Sequence, residues 1–255
     1  MTTDKAKIAI VTGSSRGLGK NTALALAKKG VDVIVTYRSS EAEANTVVSA
    51  IEEIGGKAVA LQLDTSNTKT FDGFVGEVKQ ALQNTWQTDQ FDFLVNNAGT
   101  GLHASFAETT EEEFDQMMNI HVKGAFFLTQ KLLPLIKDGG RIVNISSGLA
   151  RFTAPGYAAY ASAKGAIEVL TRYMAKELGH RQIAVNTIAP GAIETDFGGG
   201  GVRDNPEVNK FFASQTALGR VGVPDDIGGA IASLLSEENR WVNAQRIEVS
   251  GGMFL

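Results

Sequence analysis

The chain has no cysteine among its 255 residues, which excludes disulfides, thiolate zinc sites, iron–sulfur clusters and a cysteine nucleophile together. No run of about 18 apolar residues occurs, so no segment reads as a membrane span. The opening stretch Met1–Lys7 has no apolar block before the first strand-like run. No signal peptide is therefore expected, and a cytoplasmic location is. Strong charge of either sign is also missing. Twenty-four basic against 28 acidic residues give −4, which argues against nucleic acid and anionic membrane as partners, since both demand a basic face. Hydrophobic residues make up 43% and charged ones 20%, which is ordinary globular composition and excludes a disordered chain. The one excess is glycine: 28 residues, about one in nine, where about 7% is usual.

Short β-branched runs alternate with longer segments of helical period. Strands are expected at 8–12, 32–37, 58–63, 91–95, 141–146, 184–188 and 246–249, and helices at 18–29, 41–54, 68–82, 110–136, 157–178 and 224–235. Near-continuous Val/Ile/Leu/Ala strands indicate a sheet covered on both faces. Short connections between alternating strands and helices imply right-handed crossovers, hence an α/β doubly wound parallel sheet of about seven strands with helices on both faces. Thr110-Glu-Glu-Glu113 reads as a capping box, and Pro224-Asp-Asp226 as a helix start. With no repeat and no linker, residues 1–255 read as a single domain. The glycine patch 198–201 is either a surface loop or the hinge of a lid over a ligand.

The glycines carry the first functional signal. Thr12-Gly13-Ser-Ser-Arg16-Gly17-Leu18-Gly19 runs from the first strand directly into a helix. Such a turn aims backbone N–H groups and the positive helix end at a phosphate. Gly13 permits the tight turn, Gly17 lets backbone approach a pyrophosphate, and Gly19 lets helix pack on strand. The spacing is G-x-x-x-G-x-G, weak alone but well placed for a dinucleotide. No Gly-Lys-Ser/Thr follows, which disfavours an ATPase loop. An acidic residue ending the second strand would bind free ribose hydroxyls. Here that strand ends Thr36-Tyr37-Arg38-Ser39, and the first carboxylate is Glu41. Arg16 and Arg38 suit a 2′-phosphate, favouring NADP(H) while leaving NAD(H) open.

A second group of residues suits proton transfer. Tyr160-Ala-Ser-Ala-Lys164 places a phenol and an ammonium on one helix face. A neighbouring cation should lower the phenol pKa toward neutrality and make it an acid or base. Ser146 and Ser147 end one strand and Asn96-Asn97-Ala98-Gly99 another, at the edge where doubly wound sheets bind ligands. No metal-ligating set is evident.

Taken together, Thr12-Gly13-x-x-x-Gly17-x-Gly19, Asn96-Asn97-Ala98-Gly99, Ser147, Tyr160-x-x-x-Lys164 and Pro190-Gly191 resemble the short-chain dehydrogenase/reductase family over nearly the whole chain. The resemblance is to its NADP(H)-preferring 3-oxoacyl-carrier-protein reductases and related ketone reductases. It implies a Rossmann fold in which Tyr160 exchanges a proton with a carbonyl or alcohol. Lys164 would hold the nicotinamide ribose, Ser147 the substrate oxygen, and Asn119 a water leading from Lys164 to solvent. The usual spacing to the tyrosine selects Ser147 over Ser146. Cofactor contacts implied are Gly13, Ser15, Arg16, Gly17, Leu18, Gly19, Tyr37, Arg38, Ser39, Asp64, Thr65, Asn97, Ala98, Gly99, Tyr160, Lys164, Pro190, Gly191, Ile193 and Thr195. Asp64 could equally be a turn-forming residue. Asn243-Ala244-Gln245 departs from the family's usual Thr-Gly-Gln, and this bears on a local turn alone.

The same resemblance implies a substrate lid at 194–218, with Phe197, Val202, Phe211 and Phe212 as apolar lining and His103, Phe152 and Pro155 as neighbours. His103, His121 and His180 are given no catalytic role. The helices at 110–136 and 157–178 are apolar on two sides, which suits a homodimer or homotetramer. Arg181 and Lys131 could attract an acidic carrier protein. The expected activity is hydride transfer between NADP(H) and a small carbonyl or alcohol substrate. The alternatives are a non-catalytic dinucleotide sensor and an NAD-dependent sugar or polyol dehydrogenase.

Overall fold

The computed structural model describes residues 6–255; the start of the Met1–Lys7 stretch lies outside them. Seven parallel strands form one sheet in the order β3-β2-β1-β4-β5-β6-β7. They are β1 (Ile8–Val11), β2 (Asp32–Tyr37), β3 (Ala58–Gln62), β4 (Phe91–Asn96), β5 (Ile136–Ile145), β6 (Ala184–Pro190) and β7 (Arg246–Val249). Side chains alternate across a strand. Ala9 and Val11 accordingly enter one core with Val33, Leu26, Ile51, Ile227 and Ile231, while Ile8 and Ile10 enter the opposite core with Phe71, Leu128, Ile142 and Val185. Both faces are buried, so these strands can be apolar without a break.

The first core lies under α1 (Gly17–Ala27), α2 (Glu41–Glu53) and α9 (Pro224–Leu234); the second lies under α3 (Phe71–Ala81), α5 (Ala125–Leu132) and α6 (Ala158–Glu177). The expected capping box opens α4 (Glu111–Met118). Thr110 Oγ1 accepts from the Glu113 N–H at 3.2 Å, and the Glu113 carboxylate accepts from the Thr110 N–H at 3.0 Å. Such caps contribute about 1 kcal/mol. At α9, Pro224 takes the first turn, and Asp226 accepts from the Val223 N–H at 2.8 Å while paired with Arg220. Two short helices, α7 (Gly201–Asp204) and α8 (Pro206–Ser214), fill the stretch before α9, after three successive left-handed glycines, 198–200.

Two expectations need correction. The helix expected over 110–136 is broken: α4 gives way to a wide π-turn at Asn119–Gly124 before α5, and a short 3₁₀ turn at Leu133–Leu135 ends it. At Gly124 the chain presses on the Thr65 carbonyl so closely that a Cβ would lie 2.2 Å from that oxygen. β5 starts at Ile136, five residues before its expected start, because Ile136 pairs with Phe91 and the register then slips before Arg141 meets Phe93. Lys137-Asp-Gly-Gly140 reads as a loop, yet it forms this irregular lead-in, with Gly139 at φ 78°.

Because every strand is parallel, the carboxyl ends share one edge. Order reverses between β1 and β4, where crevices in such sheets open.

Candidate active site

Gly13 and Gly17, both expected for a tight turn, have left-handed backbones with φ 63° and 57°. A Cβ on Gly17 would meet nothing within 4 Å, whereas one on Gly19 would lie 2.3 Å from the Gly13 carbonyl oxygen. Gly19 therefore closes the turn on itself, and Gly17 leaves open space above it. No side chain caps the N-terminus of α1 and no acid sits in its first turn, so the N–H groups around Leu18 and Gly19 suit an anion. The turn is held to β2: the Ser14 N–H donates to the Thr36 carbonyl at 2.9 Å, and the Gly13 N–H donates to Thr36 Oγ1 at 3.0 Å. Ser15 is half-buried in this turn, and Tyr37, Arg38 and Ser39 continue along the same edge. Arg16 and Arg38 are exposed, and neither takes part in an ion pair among the described residues.

Asn97 serves first as a strut. Its side-chain amide donates to the Thr12 carbonyl at 2.8 Å, and the N–H groups of Asn97 and Ala98 both donate to Thr12 Oγ1 at 2.9 Å. Asp64 accepts from the Ser66 N–H at 2.9 Å and from the Ser66 hydroxyl at 2.6 Å, so the turn-forming reading of that residue is present. The Thr65 carbonyl faces Gly124. Pro190 ends β6, the Gly191 N–H donates to the Val249 carbonyl at 3.2 Å, and Ile193 bridges to Gly222. The buried Thr195 hydroxyl accepts from the Phe197 N–H at 3.2 Å.

The chemical group assembles on the next strands. Tyr160 and Lys164 share the buried face of α6, with exposures of 6% and 5%. Lys164 Nζ donates to the Ile145 carbonyl at 2.8 Å and lies 5.6 Å from the centre of the Tyr160 ring. Ser147, just past β5, hydrogen-bonds the Tyr160 phenol, and its hydroxyl also accepts from the Leu149 N–H at 3.2 Å. Ser146 points elsewhere, donating to Glu168 at 2.6 Å, which agrees with the choice of Ser147. Arg246 from β7 reaches the same Glu168 at 2.6 Å and the Ser147 carbonyl at 3.3 Å.

The electrostatics differ from expectation. Burial raises the Tyr160 pKa above the ordinary phenol value, more than its Ser147 hydrogen bond lowers it. The phenol is thus held protonated, not shifted toward phenolate by its lysine neighbour. Burial also pushes the Lys164 ammonium down to about 7.

Asn119 requires a correction. It begins the π-turn, half-buried, and it does not line the small cavity beside Lys164. Two residues on, His121 does line it, 4% exposed, with its ring edge-on to Tyr160 at a centroid distance of 5.4 Å. Residues two apart on a helical turn face different ways, so only one of the pair can serve this group. Nothing in the composition marks His121, since a histidine in a helical run carries no burial signal of its own.

Over the crevice, the half-exposed Phe197 stands 5.7 Å from the Tyr160 ring and packs on Gly101. His103 is exposed and lies edge-on to Tyr157 at 5.0 Å, while Phe152 meets Phe254 at 5.4 Å. Pro155 and Phe211 are exposed, and Val202 and Phe212 are half-buried. The two suggested basic attractors are already paired, Lys131 with Asp72 and Arg181 with Asp138, both at 2.7 Å.

Comparison with known proteins places this geometry in context. A family model described as enoyl-(acyl carrier protein) reductase matches residues 13–254. Hydroxynaphthalene reductase-like protein Arp2 of Metarhizium brunneum is 38% identical over 258 residues, covering 96% of this chain and 94% of its own. The solved structure of LugOII, described as a promiscuous reductase catalysing keto-reduction at C1 in lugdunomycin biosynthesis, matches with TM-score 0.93 and 38% identity over 98% of each chain. That of the angucycline C-6 ketoreductase LanV with bound NADP matches with TM-score 0.92 and 35% identity, over 97% of this chain and 95% of that one.

Proposed function

The chain belongs to the short-chain dehydrogenase/reductase family, and on that premise we propose that it is an NADP(H)-dependent ketoreductase with Tyr160 as its proton donor. The observation that carries the reading is the buried phenol held between the Ser147 hydroxyl and Lys164, at the sheet edge beside the glycine turn. NADPH, when bound, supplies the hydride. Its pyrophosphate would lie on the N–H groups after Gly13, Gly17 and Gly19, and its 2′-phosphate between Arg16 and Arg38. Asn97, Ala98 and Gly99 would line its middle, with Pro190, Gly191, Ile193 and Thr195 beside the nicotinamide.

In reduction, the Tyr160 proton passes to the carbonyl oxygen as charge develops there, and Ser147 donates a hydrogen bond to the same oxygen. A phenol kept protonated by burial suits this direction. Lys164 holds the ribose and returns a proton to the phenol. The relatives named above are described as a hydroxynaphthalene reductase-like protein, a keto-reductase at C1 in lugdunomycin biosynthesis and an angucycline C-6 ketoreductase, and Phe197 offers aromatic surface beside Tyr160. The substrate class proposed is therefore an aryl-fused cyclic ketone, closed over by a lid at 194–218 within a single domain of residues 1–255. Partly exposed Phe126, Phe127, Val169 and Tyr173 on α5 and α6 supply a face for a homodimer or homotetramer.

The sugar or polyol dehydrogenase reading loses ground to Arg16 and Arg38, which form no ion pair among the described residues, and to the lack of a carboxylate at the very end of β2. A non-catalytic sensor would need no buried Tyr160–Ser147–Lys164 group. The test is Tyr160→Phe, assayed by NADPH oxidation with a panel of tetralones, quinones, sugars and acyl thioesters. Turnover is expected to fall by about 100-fold or more, with NADPH affinity retained. Undiminished turnover in that variant refutes the assignment.

A further inference from the structure

Beside the lysine lies a small cavity of about 10 Å³, the room taken by a single water. Its polar lining comes from Thr12, Thr65, Asn96, His121 and Lys164. Two buried atoms of that lining have no hydrogen-bond partner among the described residues: Asn96 Oδ1 and His121 Nδ1. The Asn96 amide nitrogen is fully used, donating to Asn144 Oδ1 at 2.8 Å and to Thr129 Oγ1 at 3.0 Å, so the orientation of that side chain is set and its oxygen must accept. The tautomer of His121 is set as well. Its Nε2 lies 2.7 Å from the Thr100 carbonyl, and a carbonyl can only accept, so Nε2 carries the hydrogen and Nδ1 presents a lone pair.

Two acceptors and a lysine ammonium around one water-sized space form a site for a donor with two hydrogens. We infer that His121 is a positioning residue for proton return: its Nδ1 and Asn96 Oδ1 hold a water against Lys164, in the place the sequence assigns to Asn119. The inference rests on the ketoreductase reading for its catalytic consequence, but the water site itself does not. A buried acceptor left unpaired is costly, so the site favours occupancy. The water then accepts from Lys164; after Lys164 passes a proton to Tyr160, one proton from solvent returns to it through this water, so each reduction consumes one solvent proton and leaves the water and His121 unchanged. No redox change occurs at His121, and the imidazole stays neutral throughout.

The surroundings agree. The titratable groups facing the ring are Lys164 and Tyr160, both from α6, while β1, β4 and the loop after β3 present Thr12, Asn96 and Thr65. Burial and then the Lys164 charge hold the imidazole neutral, with its pKa lowered to about 3. Gly99 leaves the ring its space, since a Cβ there would lie 2.6 Å from Cε1.

The experiment has one arm that needs no substrate. In the ¹⁵N NMR spectrum of imidazole-labelled protein, His121 is expected as the Nε2–H tautomer with a hydrogen-bonded Nδ1, unchanged between about pH 5 and 8. A ring that titrates in that range, or a bare Nδ1, overturns the inference whatever Tyr160 does. The second arm compares His121→Leu with His121→Asn in the wild-type background, using NADPH and 2-tetralone, with thermal stability followed alongside. Leu is expected to lower kcat by about tenfold or more and to move the pH profile of kcat, with KM and NADPH affinity held. Asn, which can accept from the same water, recovers most of that loss. Equal kcat and pH profile in Leu and wild type overturn the relay, while a fully active Tyr160→Phe control would refute the ketoreductase reading separately.

Discussion

Replacing Gly99 by alanine tests the packing around His121 without removing or adding an ionisable group. The new methyl would lie 2.6 Å from His121 Cε1 and 3.1 Å from Nδ1, with the Asn97 carbonyl next at 3.7 Å. Ordinary contact requires the ring to retreat by about 0.8 Å. It has little freedom to do so, because Nε2 is tied to Thr100 at 2.7 Å and the ring edge meets Tyr160. Overpacking of this kind costs about 1–3 kcal/mol. For a chain of this length each kcal/mol lowers Tm by about 2–4 °C, so a fall of about 2–12 °C is expected. Because the clash is with one side chain, it should vanish when that side chain is gone. Urea unfolding of the four proteins in the Gly99→Ala and His121→Ala cycle measures this directly. In the His121→Ala background, Gly99→Ala should cost almost nothing. An equal cost in both backgrounds, or no cost in the wild type, would show that the ring is not where the structure puts it.

Arg38→Ala should weaken NADPH binding by about tenfold and leave NADH binding nearly unchanged, because only the phosphorylated ribose offers a partner to the guanidinium. Isothermal titration with both cofactors decides it, and parallel losses would remove Arg38 from the phosphate site. Stability should also depend on pH below neutrality. His121 titrates at about 3 in the folded chain and near 6.5 when unfolded, so the unfolded state binds more protons between these values. Stability conferred by the neutral ring is complete above about 6.5 and is lost as pH falls toward 3, by at most about 1.4 kcal/mol per unit. Denaturation midpoints for wild type and His121→Leu should therefore converge as the pH drops, and parallel curves would contradict the buried neutral imidazole.

Much of the fold was legible because two-faced burial leaves a simple trace: β1 is apolar throughout, and β2 and β4 carry the unbroken apolar runs Val33–Val35 and Phe93–Val95. The edge of the sheet was harder. Lys137-Asp-Gly-Gly140 carries loop residues, and only pairing with Phe91, far away in sequence, makes its surroundings a strand. The glycine turn, Ser147, Tyr160 and Lys164 were readable because local spacing alone determines their mutual reach. Asn119 was misplaced for the opposite reason. The π-turn that rotates it relative to His121 coincides with the close approach of Gly124 to Thr65, a tertiary contact with no local sequence signature. Lys131 and Arg181 read as free cations for a similar reason, since Asp72 and Asp138 meet them only after folding.

Arg246 begins the last strand to be synthesised, yet it braces both Glu168 and the Ser147 carbonyl. The last strand thus serves two ends at once, since Val249 of the same strand pairs with Pro190 and accepts from the Gly191 N–H. Truncation just before Arg246 should therefore loosen the serine's support and the glycine beside the nicotinamide position together.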